Sequence, residues 1–143
     1  MVDIFQQFPI KASARQIFEA VSTPAGLDAW WSLHASGHNE AGAQYELSFG
    51  PGYDWRATVS KFVPDREFEL ELSVADPDWE GTRVGFKLEE GEHHTTVHFH
   101  HTGWPQSNDH YRVSCYCWSM YLRLLRRFVE HGEVVPYAKR LDV

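Results

Sequence analysis

Five stretches of this chain alternate apolar and polar side chains, and a single long amphipathic segment follows them toward the C-terminal end. Successive side chains in a β-strand point to opposite faces, so each stretch predicts a strand with one buried face and one wet face. The last segment repeats its apolar residues at spacings of three and four, which is the period of a helix that buries one side. This order of elements predicts an α+β fold in which a curved antiparallel sheet packs around one helix.

The parity of the five strands assigns their faces. The apolar parity, which we expect to face the core, consists of Tyr45, Leu47 and Phe49; Trp55, Ala57 and Val59; Phe68, Leu70, Leu72 and Val74; Val84, Phe86 and Leu88; and Val97 and Phe99. The opposite parity carries the row Glu67, Glu69 and Glu71 and the pair His98 and His100, and we expect it to face water.

Two short helices are expected between the first strand, near Asp3 to Ile10, and the rest of the sheet. Ser13 and Gln16 have the spacing of a capping box, in which each side chain bonds a free backbone N–H at a helix start. Thr23-Pro24 gives a second start signal, a capping residue followed by proline at the first helical position. This second helix should end at position 30 or 31.

The long C-terminal helix is expected to begin at Asn108 or Asp109 and to end at Gly132, with residues 133–143 as a tail. A length of 143 residues fits one domain with a genuine core, so we expect a single domain over residues 1–143. Short turns join the strands into an antiparallel meander, at residues 50–52, 64–66, 76–78 and 89–92.

Four motifs occur in an order that is typical of one superfamily. They are Ile10-Lys11-Ala12-Ser13 with Ile17-Phe18, Thr23-Pro24-Ala25-Gly26-Leu27 ending in Trp30-Trp31, the strand end His101-Thr102-Gly103-Trp104, and a last helix with Trp118 that closes in Glu130-His131-Gly132. Together they cover nearly the whole chain. On these motifs the chain resembles the START-related helix-grip superfamily, SRPBCC, in the branch similar to the activator of heat-shock-protein 90 ATPase homologues.

The resemblance implies a helix-grip fold, in which about seven antiparallel strands wrap around the C-terminal helix and leave a cavity between helix and sheet. Members of this superfamily bind lipids, polyketides and other hydrophobic molecules, while some are cyclases or hydrolases and some are co-chaperones. The family's usual glycine before the tryptophan of the last helix is Cys117 here. A bulkier residue at this place narrows the space beside the helix, so the ligand size of other members does not carry over to this chain.

A formal net charge of -7 argues against a nucleic-acid partner, because such partners need a concentrated basic surface. No run of about 18 apolar residues could span a membrane, and the first residues lack the apolar core of a signal peptide. We therefore expect a soluble, cytoplasmic protein without a cofactor. Cys115 and Cys117 are the only cysteines and lie two apart in a helix, so neither a disulfide nor a metal site is expected.

Aromatic residues make up 15% of the chain, and many fall on the inward parity of the strands. Either they line a pocket, as aromatic side chains commonly do, or they fill an ordinary core with large residues. Under the first interpretation Trp55, Phe86, Trp118 and Tyr121 form the cavity wall, and Tyr121 and Cys117 supply weak polar groups. The residues expected closer to the rim are Phe49, Trp30 and Trp104.

His101 is the main candidate for a polar group inside the cavity, because it shares the inward parity of its strand. There an imidazole can orient a ligand or act as a general base, and the alternative is a core histidine bonded to a backbone carbonyl. His98 and His100 fall on the wet face, where incidental exposure is the simpler explanation than a metal site. No spacing in the chain requires a nucleophile beside a base, so no catalytic residue is assigned.

Three hypotheses of function follow. The leading one is binding of a hydrophobic or amphipathic small molecule between the C-terminal helix and the sheet. The second is a co-chaperone-like protein-interaction module with a chaperone partner, and the third is a cyclase or hydrolase that uses a titrating group inside the cavity. The pattern leaves open whether the protein is a monomer or a homodimer.

Overall fold

The computed structural model describes residues 1–143 and contains one seven-stranded sheet in which every neighbouring pair of strands is antiparallel. The order across the sheet is β1-β7-β6-β5-β4-β3-β2. The strands are β1 Val2–Ile10, β2 His34–Ser36, β3 Gln44–Ser48, β4 Asp54–Val63, β5 Glu67–Val74, β6 Arg83–Glu90 and β7 Thr95–Trp104. The helices are α1 Ala14–Ser22, α2 Pro24–Trp30 and α3 Asp109–His131, and a 3-10 segment, Tyr137–Asp142, follows them. The expected α+β helix-grip architecture is confirmed.

The helix starts are formed by the side chains that the sequence indicated. Ser13 Oγ accepts a hydrogen bond from the Gln16 N–H at 3.2 Å, and Gln16 Oε1 accepts one from the Ser13 N–H at 3.1 Å. Thr23 Oγ1 accepts from the backbone N–H of residue 26 at 3.0 Å, and Asn108 caps α3 in the same way. Gly132 ends α3 in the left-handed conformation, with a φ of 68°. Residues other than glycine rarely adopt this conformation.

The inward parity of the strands is confirmed at nearly every position, and those side chains form the core beneath the helices. Val74 is the exception, because the end of β5 projects beyond the core and leaves this residue 42% exposed. The buried residues of α3 are Ser114, Trp118, Leu122, Leu124 and Leu125. The residue pattern did not predict strand β2, since three residues are too few to show an alternation.

The outer face of the sheet differs from expectation at Glu69, which is only 3% exposed. Its carboxylate accepts a hydrogen bond from Ser60 Oγ at 2.8 Å and lies 2.6 Å from His100 Nε2. The His100 ring lies over Gly85, where a Cβ atom would overlap the imidazole. The prediction of a solvated row is therefore wrong at Glu69, because strand neighbours cover this carboxylate from both sides.

The segment after α3 packs on the domain through Arg140, which is 3% exposed. Its guanidinium donates to the backbone oxygens of Asp28 at 2.7 Å and Ser32 at 3.1 Å, so it caps the free carbonyls at the end of α2. Tyr137 donates its hydroxyl proton to the Phe49 carbonyl at 2.8 Å. These bonds hold the tail beside the end of β3.

Candidate functional site

A cavity of about 290 Å³ lies between the first half of α3 and one end of the sheet, and ten of its thirteen lining residues are hydrophobic. The β3–β4 hairpin and the turn after α2 supply Trp31, Phe49, Tyr53 and Trp55. The β5–β6 connection and the tail supply Asp76, Trp79 and Tyr137. One face of α3 completes the wall with His110, Val113, Ser114, Cys117, Trp118 and Tyr121.

The hairpin turn is what brings two of these rings together. Gly50 and Gly52 have φ values of 110° and 85°, a region that side chains disfavour, and they let β3 turn sharply into β4. Phe49 and Trp55 flank this turn with the same parity, so their ring centroids lie 4.7 Å apart. Trp79 reaches the same place from a turn in which its N–H donates to the Asp76 carbonyl at 2.8 Å.

Five of the nine side chains predicted to contact a ligand line this cavity: Phe49, Trp55, Cys117, Trp118 and Tyr121. The other four are buried outside the lining, namely Trp30 (0% exposed), Phe86 (3%), His101 (0%) and Trp104 (0%). Trp30 packs behind Trp31 and donates its indole N–H to the Ala20 carbonyl at 2.9 Å. The role of the five lining residues as ligand contacts stays a prediction.

Several lining residues were not among the candidates, above all Trp31, Trp79 and Tyr137. The burial of Trp79 could have been predicted from the sequence, because a large aromatic residue in an otherwise polar connection between two strands is expected to pack against the domain. Tyr137 lies in the expected tail, and its ring was not assigned to the cavity wall. Trp31 differs from Trp30 by one position, and only the end of α2 decides which of the two faces the cavity.

His101 occupies the layer directly behind the cavity, and both of its ring nitrogens have partners. The Trp118 indole N–H donates to Nδ1 at 3.0 Å, so the proton of the neutral ring is on Nε2. Nε2 in turn donates to Thr82 Oγ1 at 2.8 Å, and this hydroxyl donates to the Trp79 carbonyl at 2.5 Å. The chain of bonds therefore ties the Trp118 indole and the backbone of Trp79 to the sheet.

Burial, together with the smaller effects of the nearby His100 and His110, lowers the pKa of His101 to about 3. A histidine that is neutral at physiological pH and bonded through both nitrogens is a positioning group for the two tryptophans. Its contacts correspond to the core-histidine alternative, with side-chain partners in place of the expected carbonyl. They do not favour the general-base alternative for a ligand in the cavity.

The polar groups on the wall are mostly neutral. Burial raises the pKa of Tyr121 to about 12 and raises the pKa of the Cys117 thiol, so both keep their protons at neutral pH. Hydrogen bonds from His110, at 3.0 Å, and from Asn108, at 3.1 Å, lower the pKa of Asp78 just outside the wall. Asp76 is different, because its half-buried carboxylate makes no ion pair and no side-chain hydrogen bond.

The arrangement can enclose a flat apolar molecule, and it offers little for covalent chemistry. Cys117 makes no hydrogen bond to a base, and a thiol with a raised pKa is a poor nucleophile. No group of three histidine, cysteine or acidic side chains could hold a metal ion. None of the helices is both long and apolar enough to cross a bilayer.

Comparison with known proteins places the chain in a family. It matches the family model of the Activator of Hsp90 ATPase homolog 1-like proteins over residues 11–130. No curated protein matches it. Among solved structures it is similar to the Aha1 dimer from Colwellia psychrerythraea, with 30% identity and a TM-score of 0.83, over 93% of this chain and 99% of that one.

Two more distant structures share the fold. Protein BH1534 from Bacillus halodurans is 24% identical with a TM-score of 0.77, over 91% of this chain and 98% of that one. CalU16 from Micromonospora echinospora is 18% identical with a TM-score of 0.73, over 96% of this chain and 83% of that one. The family model spans most of the chain and the architecture agrees with the resemblance seen in the sequence, so this chain belongs to the family of Activator of Hsp90 ATPase homolog 1-like proteins.

Proposed function

We propose that this protein binds a hydrophobic or amphipathic small molecule in the cavity between α3 and the sheet. The observation that carries the proposal is the cavity itself, about 290 Å³ in volume with ten hydrophobic residues among thirteen. A tightly filled interior would have argued against it. We also propose that residues 1–143 act as one domain, with the tail held against the hairpin by Tyr137 and against the end of α2 by Arg140.

The volume limits the ligand. A dry cavity of about 150 Å³ accepts benzene, so one of 290 Å³ has room for a molecule of about two fused rings. Burial of roughly 200 Å² of apolar surface contributes about 5 kcal/mol at ~25 cal/mol per Å², before the costs of association. This gain alone corresponds to a dissociation constant of about 0.2 mM, and the costs of association weaken it, so the assay must reach the millimolar range.

The first experiment is native mass spectrometry of protein freshly purified from its own host, followed by extraction and identification of any released molecule. A thermal-shift screen with flat two-ring compounds accompanies it. We expect Cys117→Phe to fill the cavity and abolish the shift, because Cys117 lies on its wall. Ser119→Phe, a matched bulky change on the exposed side of α3, should keep it. A clean apo mass and no shift with any compound would overturn the proposal.

A second candidate is a co-chaperone-like interaction module, and one observation favours it. The chain is 30% identical to the Colwellia psychrerythraea Aha1 dimer over almost its whole length, and its family is described by the activation of the Hsp90 ATPase. The test measures the ATPase rate of the host's Hsp90 with and without this protein. A rate increase that Cys117→Phe leaves intact would support this function and separate it from ligand binding, and an unchanged rate would refute it.

Assembly and location belong to the same proposal. Because the Colwellia relative is a dimer, we expect a homodimer here as well, and light scattering after size-exclusion chromatography measures its mass. A monomeric mass at high protein concentration would contradict this expectation. A cytoplasmic location is expected from the sequence, and fractionation of host cells tests it.

A further inference from the structure

The cavity wall contains a closed circuit of five aromatic rings. In order, the rings are Trp31, Phe49, Trp55, Trp79 and Trp118. The centroids of successive rings lie 5.1, 4.7, 5.0 and 5.7 Å apart, and the centroids of Trp118 and Trp31 lie 5.3 Å apart. Trp31, Trp79 and Trp118 are 3%, 8% and 1% exposed, whereas Phe49 and Trp55 are half-buried and present more of their surface to the cavity. An aromatic ring face attracts a cation that lies within ~6 Å of it. All five residues line the cavity.

The composition of the wall is more aromatic than apolar binding requires. Eight of the thirteen lining residues carry phenyl, phenol or indole rings. Val113 is the one aliphatic side chain among the thirteen. A neutral hydrocarbon gains as much from leucine or valine as from tryptophan, because its burial depends on area. The faces of aromatic rings carry negative charge density in addition, and this property distinguishes a cation from a neutral molecule of the same shape.

The charge of the wall points the same way. Asp76 is its only carboxylate, and that carboxylate has no cationic partner within the protein. The neighbouring Asp78 is hydrogen-bonded by His110, the one histidine on the wall. Arg140 lies 5.4 Å from the centroid of the Tyr137 ring but is not part of the lining, since its guanidinium bonds the carbonyls at the end of α2.

We propose that the cavity recognises an organic cation, a quaternary ammonium group on a small apolar or aromatic body, held by the aromatic rings of the wall and balanced by Asp76. This inference rests on the proposed function, since it names the ligand class of the same cavity. Rings give the cation an attractive surface without hydrogen bonds, which suits an ammonium group that has no N–H to donate. The carboxylate at the wall supplies the net charge that aromatic rings lack.

The test compares two probes of equal shape that differ in charge, (4-hydroxyphenyl)trimethylammonium and 4-tert-butylphenol. Both are titrated into the full-length protein at neutral pH, and indole N–H signals in NMR spectra and calorimetry report binding. We expect the cation to bind on the order of tenfold more tightly than its neutral isostere. Equal affinities, or tighter binding of 4-tert-butylphenol, would overturn the cation inference and leave the proposed function standing.

Two variants locate the effect. Asp76→Asn should weaken the cation by about three- to fivefold and leave 4-tert-butylphenol unchanged, whereas Glu80→Gln, on an exposed residue of the same connection, should change neither. Trp55→Leu removes one ring of the circuit and should also weaken the cation more than its isostere. The thermal unfolding of each free variant confirms that it folds. Loss of both probes to the same extent in Asp76→Asn would contradict the inference, and failure of every compound to bind would overturn the proposed function with it.

Discussion

Neighbouring residues of β7, His100 and His101, project to opposite faces of the sheet and enter two different buried environments. His101 joins an aromatic layer on the inner face, where it accepts a bond from the Trp118 indole. His100 joins a polar cluster on the outer face, 2.6 Å from the Glu69 carboxylate and over Gly85. The same side chain therefore serves as a neutral positioning group on one face and as the partner of a buried acid on the other.

The comparison shows that the solvent-facing side of a sheet can contain individual buried residues, such as Glu69. The inner cluster is buried because a helix covers it. The outer cluster is buried because the His100 ring lies over Gly85 and Arg83 lies 3.7 Å from the Glu69 carboxylate. Residues that a helix covers are part of the continuous hydrophobic core, whereas residues that only neighbouring side chains cover make fewer packing contacts. We therefore expect changes in the inner cluster to cost more stability than changes in the outer one.

The largest effect is expected from Trp118→Ala on the inner face. Trp118 is 1% exposed, contacts four other rings of the layer and donates to His101, so its loss leaves both a void and an unpaired Nδ1. The free energy of unfolding should fall by about 3–5 kcal/mol in urea titrations. Tyr116→Ala, a large change on the exposed side of α3, is the matched control and should cost less than about 0.5 kcal/mol. A cost for Trp118→Ala near that of the control would refute the inner cluster as a packed layer.

Acid should weaken the inner cluster next. The folded-state pKa of His101, about 3, lies below the ordinary histidine value of 6.5, so the unfolded chain takes up the proton first. The stability contributed by neutral His101 is thus complete above pH 6.5 and is lost as the pH falls toward 3, by about 1.4 kcal/mol per unit. Unfolding measured over this interval should show the slope in the wild type.

In His101→Gln that part of the slope should disappear, although the variant is less stable at neutral pH. Carboxylates that titrate near pH 4 remain in both proteins, so the difference between the two curves is the quantity to compare. Identical slopes in the two proteins would show that His101 is not the group that titrates.

A smaller effect is expected from Glu69→Leu on the outer face. The change removes the acceptor of Ser60 and the partner of His100, and about 2 kcal/mol of stability should be lost. Glu67→Leu offers a control two residues away on the same strand and face, with its carboxylate paired only to Lys61 at 3.5 Å, and should cost about 0.5 kcal/mol. Equal costs for the two glutamates would mean that Glu69 behaves as an ordinary surface residue.

The smallest effect is expected from Gly85→Ala. The added methyl group overlaps the His100 ring and must displace it from Glu69, so we expect a loss of about 1 kcal/mol despite the gain in backbone rigidity. In a His100→Ala background the obstacle is gone, and the same change should become nearly neutral. A double-mutant cycle of the two positions measures this coupling, and additive effects would contradict the contact.

Much of the fold could be predicted from local signals. The parity of β3 to β7, the capping residues Ser13, Thr23 and Asn108, and the C-terminal Gly132 all depend on interactions within one turn or one strand, and they are confirmed. The strand β2 could not be found in this way, because its three residues become a strand only through pairing with β3.

The candidate site was only partly predictable for the same reason. Alternation states which face a side chain occupies, and it placed Phe49, Trp55 and Phe86 on the inner face together. It does not state which part of α3 each strand residue packs against. Phe86 was therefore assigned to the cavity wall, although it lies deeper in the core beside Trp30. Trp79 and Tyr137 reach the wall from a connection and a tail, where no periodic pattern applies.

The sequence by itself determined the order of strands and helices, their inner faces and the family, because these depend on periodicity, capping chemistry and motifs that are local in the chain. The tertiary structure alone decided which aromatic rings enclose empty space, which histidine bonds a tryptophan and which glutamate is buried. Each of these results depends on distances between residues far apart in sequence, such as Trp31 and Trp118 or Glu69 and His100. Such distances are set by the packing of the whole domain, and no local stretch of the sequence contains them.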